Sequence, residues 1–250
     1  MQTIVVIPAR LDSTRLPEKP LLDLGGRPLI QHVHARATAA SRPSRVVVAT
    51  DSPRILEAVE AFGGEALLTS SDCASGTDRV AEAVRQLEAR GERFDAVVNL
   101  QGDEPFIEPG AIDAACAALA PEAGGGKAPI ATLARALRPG ELADPSVVKV
   151  VTDAAGLALY FSRAPLGQDR ERPGESLARA HLGLYAYLRE ALIDFSGLAP
   201  TPLEQAERLE QLRALEHGRR IAVADTEWMP AGIDTPEDLE RARAALARKE

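Results

Sequence analysis

The chain has 250 residues, 45% of them hydrophobic and 26% charged, a balance that supports a packed core and excludes disorder as its main state. Its net charge of −8 excludes a general nucleic-acid binder, which needs a cationic face to displace counterions from phosphates. Two cysteines, Cys73 and Cys116, stand far apart with no Cys-x-x-Cys pair, which argues against a disulfide framework or a zinc site and predicts a reduced, cytoplasmic protein.

The first residues run directly into a strand at Ile4–Pro8. There is no cationic leader and no apolar run near the ~20 residues that a membrane span needs, so neither export nor membrane insertion is predicted. β-Branched runs at Arg45–Thr50 and Ala96–Leu100 predict further strands. Between the strands, helical patterning covers Leu29–Ala40, Pro53–Phe62 and Thr77–Ala89. The second helix has Ser52 as N-cap, Pro53 in its first turn and Gly63-Gly64 as its stop. Such alternation builds a Rossmann-like α/β fold, a predominantly parallel sheet with flanking helices, whose ligands sit beyond the carboxyl ends of the strands. The loops beginning at Pro8, Asp51 and Gln101 are therefore expected to converge on one site.

Glu122–Lys127 reads as a flexible loop, after which the pattern turns hairpin-like. Val147–Val151 and Leu157–Ser162 flank a turn at Asp153–Gly156. Such a hairpin either covers one end of the core or pairs with a second subunit; because both strands are apolar on both faces, the second is expected, in a homodimer. A polar stretch at Gln168–Ala178 precedes a strand at His181–Tyr187, helices at Arg189–Phe195 and Pro202–Leu215, and a strand at Ile221–Ala224. The last helix opens at Thr235, a good N-cap before Pro236. Residues 1–250 thus read as a single α/β domain, with a small hairpin-containing insertion at 130–200.

Chemistry concentrates in the loop after the first strand, Pro8–Pro20 (PARLDSTRLPEKP), where Arg10, Arg15 and Lys19 fall close together on an otherwise acidic chain. Fixed positive charge and backbone N–H donors at a strand end are what a triphosphate needs, and a solvated basic loop is the competing reading. Neither the dinucleotide-binding glycine pattern nor a P-loop occurs, and Gly124-Gly125-Gly126-Lys127 has the wrong spacing. Asp103 follows the strand at Ala96–Leu100 almost directly. Alone, such a residue is a turn-former. Beside a phosphate grip it becomes a natural Mg²⁺ ligand, because Mg²⁺ prefers one or two carboxylates together with phosphate oxygens and water.

Ile7–Leu21 (IPARLDSTRLPEKPL) resembles the opening segment of the CMP-Kdo synthetases, the 3-deoxy-manno-octulosonate branch of the nucleotide-sugar cytidylyltransferase family. The resemblance continues in order through Val46–Asp51 (VVVATD), Ser75–Arg79 (SGTDR), Asn99–Pro105 (NLQGDEP) and Val148–Arg163. It extends through His181–Tyr187 (HLGLYAY), Pro202–Leu215 and Gly232–Leu239 (GIDTPEDL), and so covers nearly the whole chain. The PAR opening resembles sialic-acid-activating cytidylyltransferases as well, whereas HLGLYAY with LEQLR is similar to the Kdo branch in particular. Pro165–Arg179 follows the family pattern only loosely, and no role is carried onto it.

The resemblance implies a fold of the nucleotide-diphospho-sugar transferase type. It also implies a Mg²⁺-dependent transfer of CMP from CTP to the anomeric hydroxyl of 3-deoxy-D-manno-octulosonate (Kdo), giving CMP-Kdo and pyrophosphate for lipopolysaccharide biosynthesis. Another acidic sugar, such as sialic acid or 8-amino-Kdo, is the alternative substrate. By resemblance the catalytic residues are Lys19, Arg10, Arg15 and Asp103, and the metal ligands are Asp103 and Asp234. Ala9, Arg10, Ser13, Lys19, Ser75, Gly76, Arg79 and Gln101 are expected around the nucleotide. Arg163, His181, Tyr185, Glu210 and Gln211 are expected around the sugar acid. His181 and Tyr185, four apart, should share one strand face. Glu204, three after Thr201, reads as part of a helix capping box rather than as a ligand.

Overall fold

The structure, a computed structural model, describes residues 1–12, 16–120, 125–172 and 175–247. Ser13 and Arg15, both expected at the nucleotide, lie outside the described residues. The chain divides into two compact units, one made of Met1–Asp113 with Met229–Glu250, the other of Ala114–Trp228.

The first unit begins with β1 (Thr3–Ala9) and a short 3-10 turn at Lys19–Leu21, followed by α1 (Leu29–Thr38), β2 (Arg45–Thr50), α2 (Pro53–Ala61) and β3 (Ala66–Leu68). It continues through α3 (Gly76–Ala89), β4 (Ala96–Asn99) and α4 (Pro109–Ala117), which runs across the boundary between the units. β3, β2, β1 and β4 pair in parallel in that order, with Ile4 facing Arg45 on one side and Val97 on the other. Val5, Val6, Val47, Val48, Val97 and Val98 are fully buried, as strands covered on both faces require. α1 and α2 pack on β2, and α3 packs on β1, β2 and β4. Ser52 caps α2 by accepting from the Ile55 N–H at 3.4 Å. Ser75 and Asp78 cap α3 reciprocally, each side chain accepting from the other's backbone N–H at 3.1 Å. That box starts α3 at Gly76, one residue earlier than the pattern predicts.

The second unit carries β5 (Ile130–Ala136), β6 (Lys149–Thr152), β7 (Ala158–Ser162), β8 (Arg179–Leu188) and α5 (Arg189–Ser196). It ends with α6 (Pro202–Glu207), α7 (Gln211–Glu216) and β9 (Ile221–Asp225). β5 runs antiparallel to β8 and parallel to β9, while β6 runs antiparallel to both β7 and β8, so the expected hairpin forms. On β7 the apolar Leu159 is 56% exposed. Lys149, fully buried, satisfies its ammonium on three carbonyls, Asp144 O at 2.8 Å, Val147 O at 2.7 Å and Arg163 O at 2.5 Å.

The single helix expected over Pro202–Leu215 is instead two. Arg208 takes a left-handed conformation with φ 53, and the chain folds back so that α7 lies against α6. A buried ion pair accounts for the break: Arg213 donates to both oxygens of Glu204, at 2.8 Å from Nε and 2.5 Å from Nη2, which requires the two short helices to face each other. Glu204 also accepts from the Thr201 N–H at 3.1 Å, the capping contact its spacing predicts.

The final helix, α8 (Pro236–Leu246), belongs to the first unit. Thr235 caps it, and Asp238 accepts from the Thr235 N–H at 2.8 Å and from the Asp234 N–H at 3.0 Å. Among the described residues no helix is long and apolar enough to cross a membrane.

Candidate active site

The loop after β1 is closed by its own backbone. The Glu18 N–H donates to Leu11 O at 3.2 Å, and Glu18 holds a left-handed φ of 55, after which the 3-10 turn begins. Lys19 opens that turn, and its side chain reaches inward. Its ammonium donates to Asp103 Oδ2 at 2.9 Å and to Asp234 Oδ1 at 2.9 Å, drawing together residues from three remote segments. Burial acts to lower the Lys19 pKa, but the two carboxylates outweigh it and hold the pKa above its ordinary value. The ammonium therefore stays charged at neutral pH.

Asp103 is placed by the turn that follows β4. A Cβ on Gly102 would stand 3.0 Å from Pro8 O, so glycine lets this turn lie directly against the end of β1. Asp234 is fixed by α8, through the Asp238 carboxylate that accepts its N–H. The two segments also meet directly, since the Ile233 N–H donates to Asp103 O at 3.0 Å.

Both carboxylates thus reach one point. Among the described residues there is no group of three or more His, Cys, Asp or Glu side chains able to hold a metal. A pair of carboxylates, with the rest of the shell left to phosphate oxygens and water, is the donor set that Mg²⁺ prefers, so the residues fit the expected ion.

A cavity of about 330 Å³ lies beside this triad, lined by Ala9, Arg10, Lys19, Gln101, Asp103 and Asp234 among others. A second, of about 130 Å³, shares Ala9, Arg10 and Gln101 with it and adds Ser75, Gly76 and Arg79. The expected nucleotide residues that the structure describes thus all line one or both cavities. Gln101 is oriented by donating its Nε2 to Asn99 Oδ1 at 3.2 Å, which leaves its carbonyl oxygen to accept. Ser75 Oγ is engaged in the α3 cap. Arg79 is 4% exposed and committed to the protein, donating to Asp51 Oδ2 at 2.8 Å and Thr69 Oγ1 at 2.7 Å.

Sequence reasoning missed three participants here. Asp51 was marked only as a loop start, although Arg79 sits on the buried face of α3, one helical turn before Ala83, where a lone cation needs a partner. Cys73 lines the smaller cavity, and its thiol, at 3.1 Å from Glu82 Oε2, is pushed up to about 11 by burial and by that carboxylate. Glu104 follows Asp103 in the NLQGDEP block. Burial, and after it the charge of Asp103, push it up to about 8, while a hydrogen bond from the Ala231 backbone opposes the shift.

The expected sugar residues belong to the second unit. On β8, His181 Nε2 lies 3.1 Å from Tyr185 Oη and 3.0 Å from Thr132 Oγ1 of β5. The register of β5 against β8 shifts between Thr132 and Leu133, next to this trio. Burial pushes the imidazole down to about 3 and raises the Tyr185 phenol well above its ordinary value, so both are neutral hydrogen-bonding groups. Glu210 lies close enough to add to the Tyr185 shift, and Gln211, 8% exposed, begins α7 with a buried Nε2 that has no hydrogen-bond partner. Arg163 is held by a different set of contacts, to Glu207 O at 3.1 Å and Pro145 O at 3.0 Å.

A family model described as Cytidylyltransferase matches residues 4–221. The 3-deoxy-manno-octulosonate cytidylyltransferase of Anaeromyxobacter dehalogenans (strain 2CP-C) is 58% identical over 243 residues, 97% of this chain and 97% of the relative. The protein of the same name from Geobacter metallireducens is 45% identical, covering 99% of each chain. The solved structure of CMP:2-keto-3-deoxy-manno-octonic acid synthetase complexed with CTP is similar with a TM-score of 0.91 at 41% identity, covering 100% of both chains. A cytidylyltransferase from Leptospira borgpetersenii, at 18% identity and a TM-score of 0.64 over 99% of this chain and 87% of that one, shares the fold. By this likeness along nearly all its length, the chain belongs to the cytidylyltransferase family, in its 3-deoxy-manno-octulosonate branch.

Proposed function

We propose that the protein transfers CMP from CTP to the anomeric hydroxyl of Kdo, releasing pyrophosphate, and that it does so with Mg²⁺ held by Asp103 and Asp234. The observation that carries this reading is the position of the Lys19 ammonium, 2.9 Å from each of the two carboxylates at the mouth of the larger cavity. In the reaction the sugar hydroxyl attacks the α-phosphorus in line. A new O–P bond forms, the bond to the β-phosphate oxygen breaks, and the hydroxyl proton leaves to solvent. Such transfers are driven by positioning and charge neutralisation rather than by covalent chemistry with the protein.

Bound Mg²⁺ supplies phosphate charge neutralisation and Lewis-acid polarisation. The chain's own residues do the rest. Arg10 and Lys19 hold the triphosphate, and Lys19 turns from the carboxylates toward the phosphates as they arrive. Ala9, Gln101 and the start of α3 enclose the nucleoside, whose cytosine offers donors and acceptors to the free carbonyl of Gln101 and to backbone groups. His181, Tyr185 and Gln211 receive the sugar acid as neutral donors and acceptors, with Arg163 and Glu210 completing the set.

We assign the reaction to the cytoplasm, where Cys73 and Cys116 stay reduced, and its product to lipopolysaccharide biosynthesis. We also assign a homodimer to the β6–β7 hairpin. On β7 the apolar Leu159 is exposed, which suits a partner surface. Sedimentation should give twice the chain mass of 26.6 kDa, and Leu159→Glu should shift it toward the monomer.

The functional test is product identification. ³¹P NMR of the protein with CTP, Mg²⁺ and Kdo should show pyrophosphate and a phosphodiester resonance of CMP-Kdo growing together. CTP left intact, or hydrolysed without a sugar-linked product, would overturn the assignment.

A further inference from the structure

The two carboxylates proposed to share Mg²⁺ come from segments more than a hundred residues apart, and an ion of strict geometry tolerates little error in their separation. Two ties join those segments. One is the hydrogen bond from the Ile233 N–H to Asp103 O at 3.0 Å. The other joins the next residue of one segment to a residue two places back in the other: the Glu104 carboxyl faces the Ala231 backbone N–H. Gly232, between the two ties, has no side chain to hold them apart. A Cβ there would stand 3.0 Å from Glu104 Oε1, so the carboxyl would have to shift by a few tenths of an ångström to admit it.

We propose that Glu104, seated on Gly232 and facing the Ala231 N–H, is a positioning residue that sets the spacing of Asp103 and Asp234. This rests on the reading of those two residues as the metal-holding pair. The Glu104 carboxyl lies against the backbone of Gly232. Its Oε2 is enclosed without a hydrogen-bond partner, so it offers no open oxygen for coordination. Its contribution is to lock the 231–234 segment onto the turn after β4, as outer partners of a metal site orient the ligands they touch. A glutamine at this position keeps an acceptor for the Ala231 N–H. An alanine removes it, and a methyl on residue 232 displaces it without deleting any polar group.

The experiment uses the full chain with Mn²⁺·CTP as probe, its binding followed by electron paramagnetic resonance without sugar, together with the Mg²⁺ concentration for half-maximal rate and the KM for Kdo. Glu104→Ala and Gly232→Ala should each weaken Mn²⁺·CTP binding about 10-fold or more, with Glu104→Gln within about 3-fold of the parent. Half-saturating Mg²⁺ should rise in parallel while the KM for Kdo stays near its parent value. Parent-like Mn²⁺·CTP binding by Glu104→Ala or Gly232→Ala would overturn the proposal, and so would a loss with Glu104→Gln as large as that with Glu104→Ala. If Glu104→Ala does not fold, Gly232→Ala and Glu104→Gln decide the matter. Asp103→Asn separates the two levels: if it binds Mn²⁺·CTP like the parent, the metal assignment itself fails, whereas weakened binding there with parent-like Gly232→Ala sinks only the positioning role.

Discussion

Lys19 Nζ and Asp103 Oδ2 stand 2.9 Å apart, although the residues are separated by 84 positions and belong to different loops of the parallel sheet. Asp234 meets the same ammonium at the same distance, so one side chain balances two carboxylates that would otherwise repel each other. On the proposed reading this lysine does two jobs in turn: it keeps the acidic pair together before the nucleotide arrives, and it then supplies charge to the triphosphate.

Removing that ammonium should therefore change how the protein answers to the metal alone. Lys19→Met leaves two unbalanced carboxylates, so added Mg²⁺ without nucleotide should raise its melting temperature more than it raises that of the parent. In kinetics, Lys19→Ala should raise the KM for CTP more than the KM for Kdo. Equal changes in both constants would make Lys19 a scaffold residue.

Asp103→Asn keeps the shape of the turn and removes the charge. Turnover should fall by about 10²-fold or more, the scale seen when a preorganised charge stabiliser is removed, while the circular dichroism spectrum stays that of the parent. Near-parent CMP-Kdo formation would contradict its role.

Arg79 tests whether a buried cation beside the nucleotide cavity acts first on the fold. Its guanidinium is tied to Asp51 and Thr69, and Arg79→Met strands a largely covered carboxylate, so urea denaturation should show a loss of about 3 kcal/mol. A midpoint unchanged from the parent would show that the Asp51 pair contributes little.

His181 gives a pH dependence of definite sign. In the fold burial holds its pKa down at about 3, against 6.5 for the free side chain, so between those values the unfolded chain binds a proton that the native chain does not. Its contribution to stability is complete above pH 6.5 and declines as the pH falls toward 3. His181→Gln should remove that slope, at most about 1.4 kcal/mol per pH unit. Urea midpoints of parent and variant compared at pH 7 and pH 5 should diverge, and parallel midpoints would contradict the burial of a neutral imidazole.

Much of the first unit was legible in the sequence, because a parallel strand buried on both faces writes itself as a run such as Val46-Val47-Val48 and a helix start as Ser52-Pro53. The edge strand β3 was not, since three residues with one exposed leucine carry no period. α4 was hidden by a nearly uniform run of small apolar residues, which shows no polar face. The break after Glu207 was invisible because it follows from a contact nine residues apart, Glu204 with Arg213, that only the folded-back chain allows. At the site, motif blocks named Lys19, Asp103 and Asp234 correctly as neighbours, but motifs say which residues meet a ligand and not which hold those residues. Asp51, Asp238 and Glu104 act on other side chains or on backbone, and such partners become visible only in three dimensions.

The most direct measurement is a crystal of the protein grown with CTP and Mn²⁺, with data collected at the manganese absorption edge. The account predicts an anomalous peak about 2.1 Å from a carboxylate oxygen of both Asp103 and Asp234, with Lys19 Nζ moved onto the triphosphate. A peak remote from either aspartate, or Lys19 still wedged between them with nucleotide bound, would contradict it.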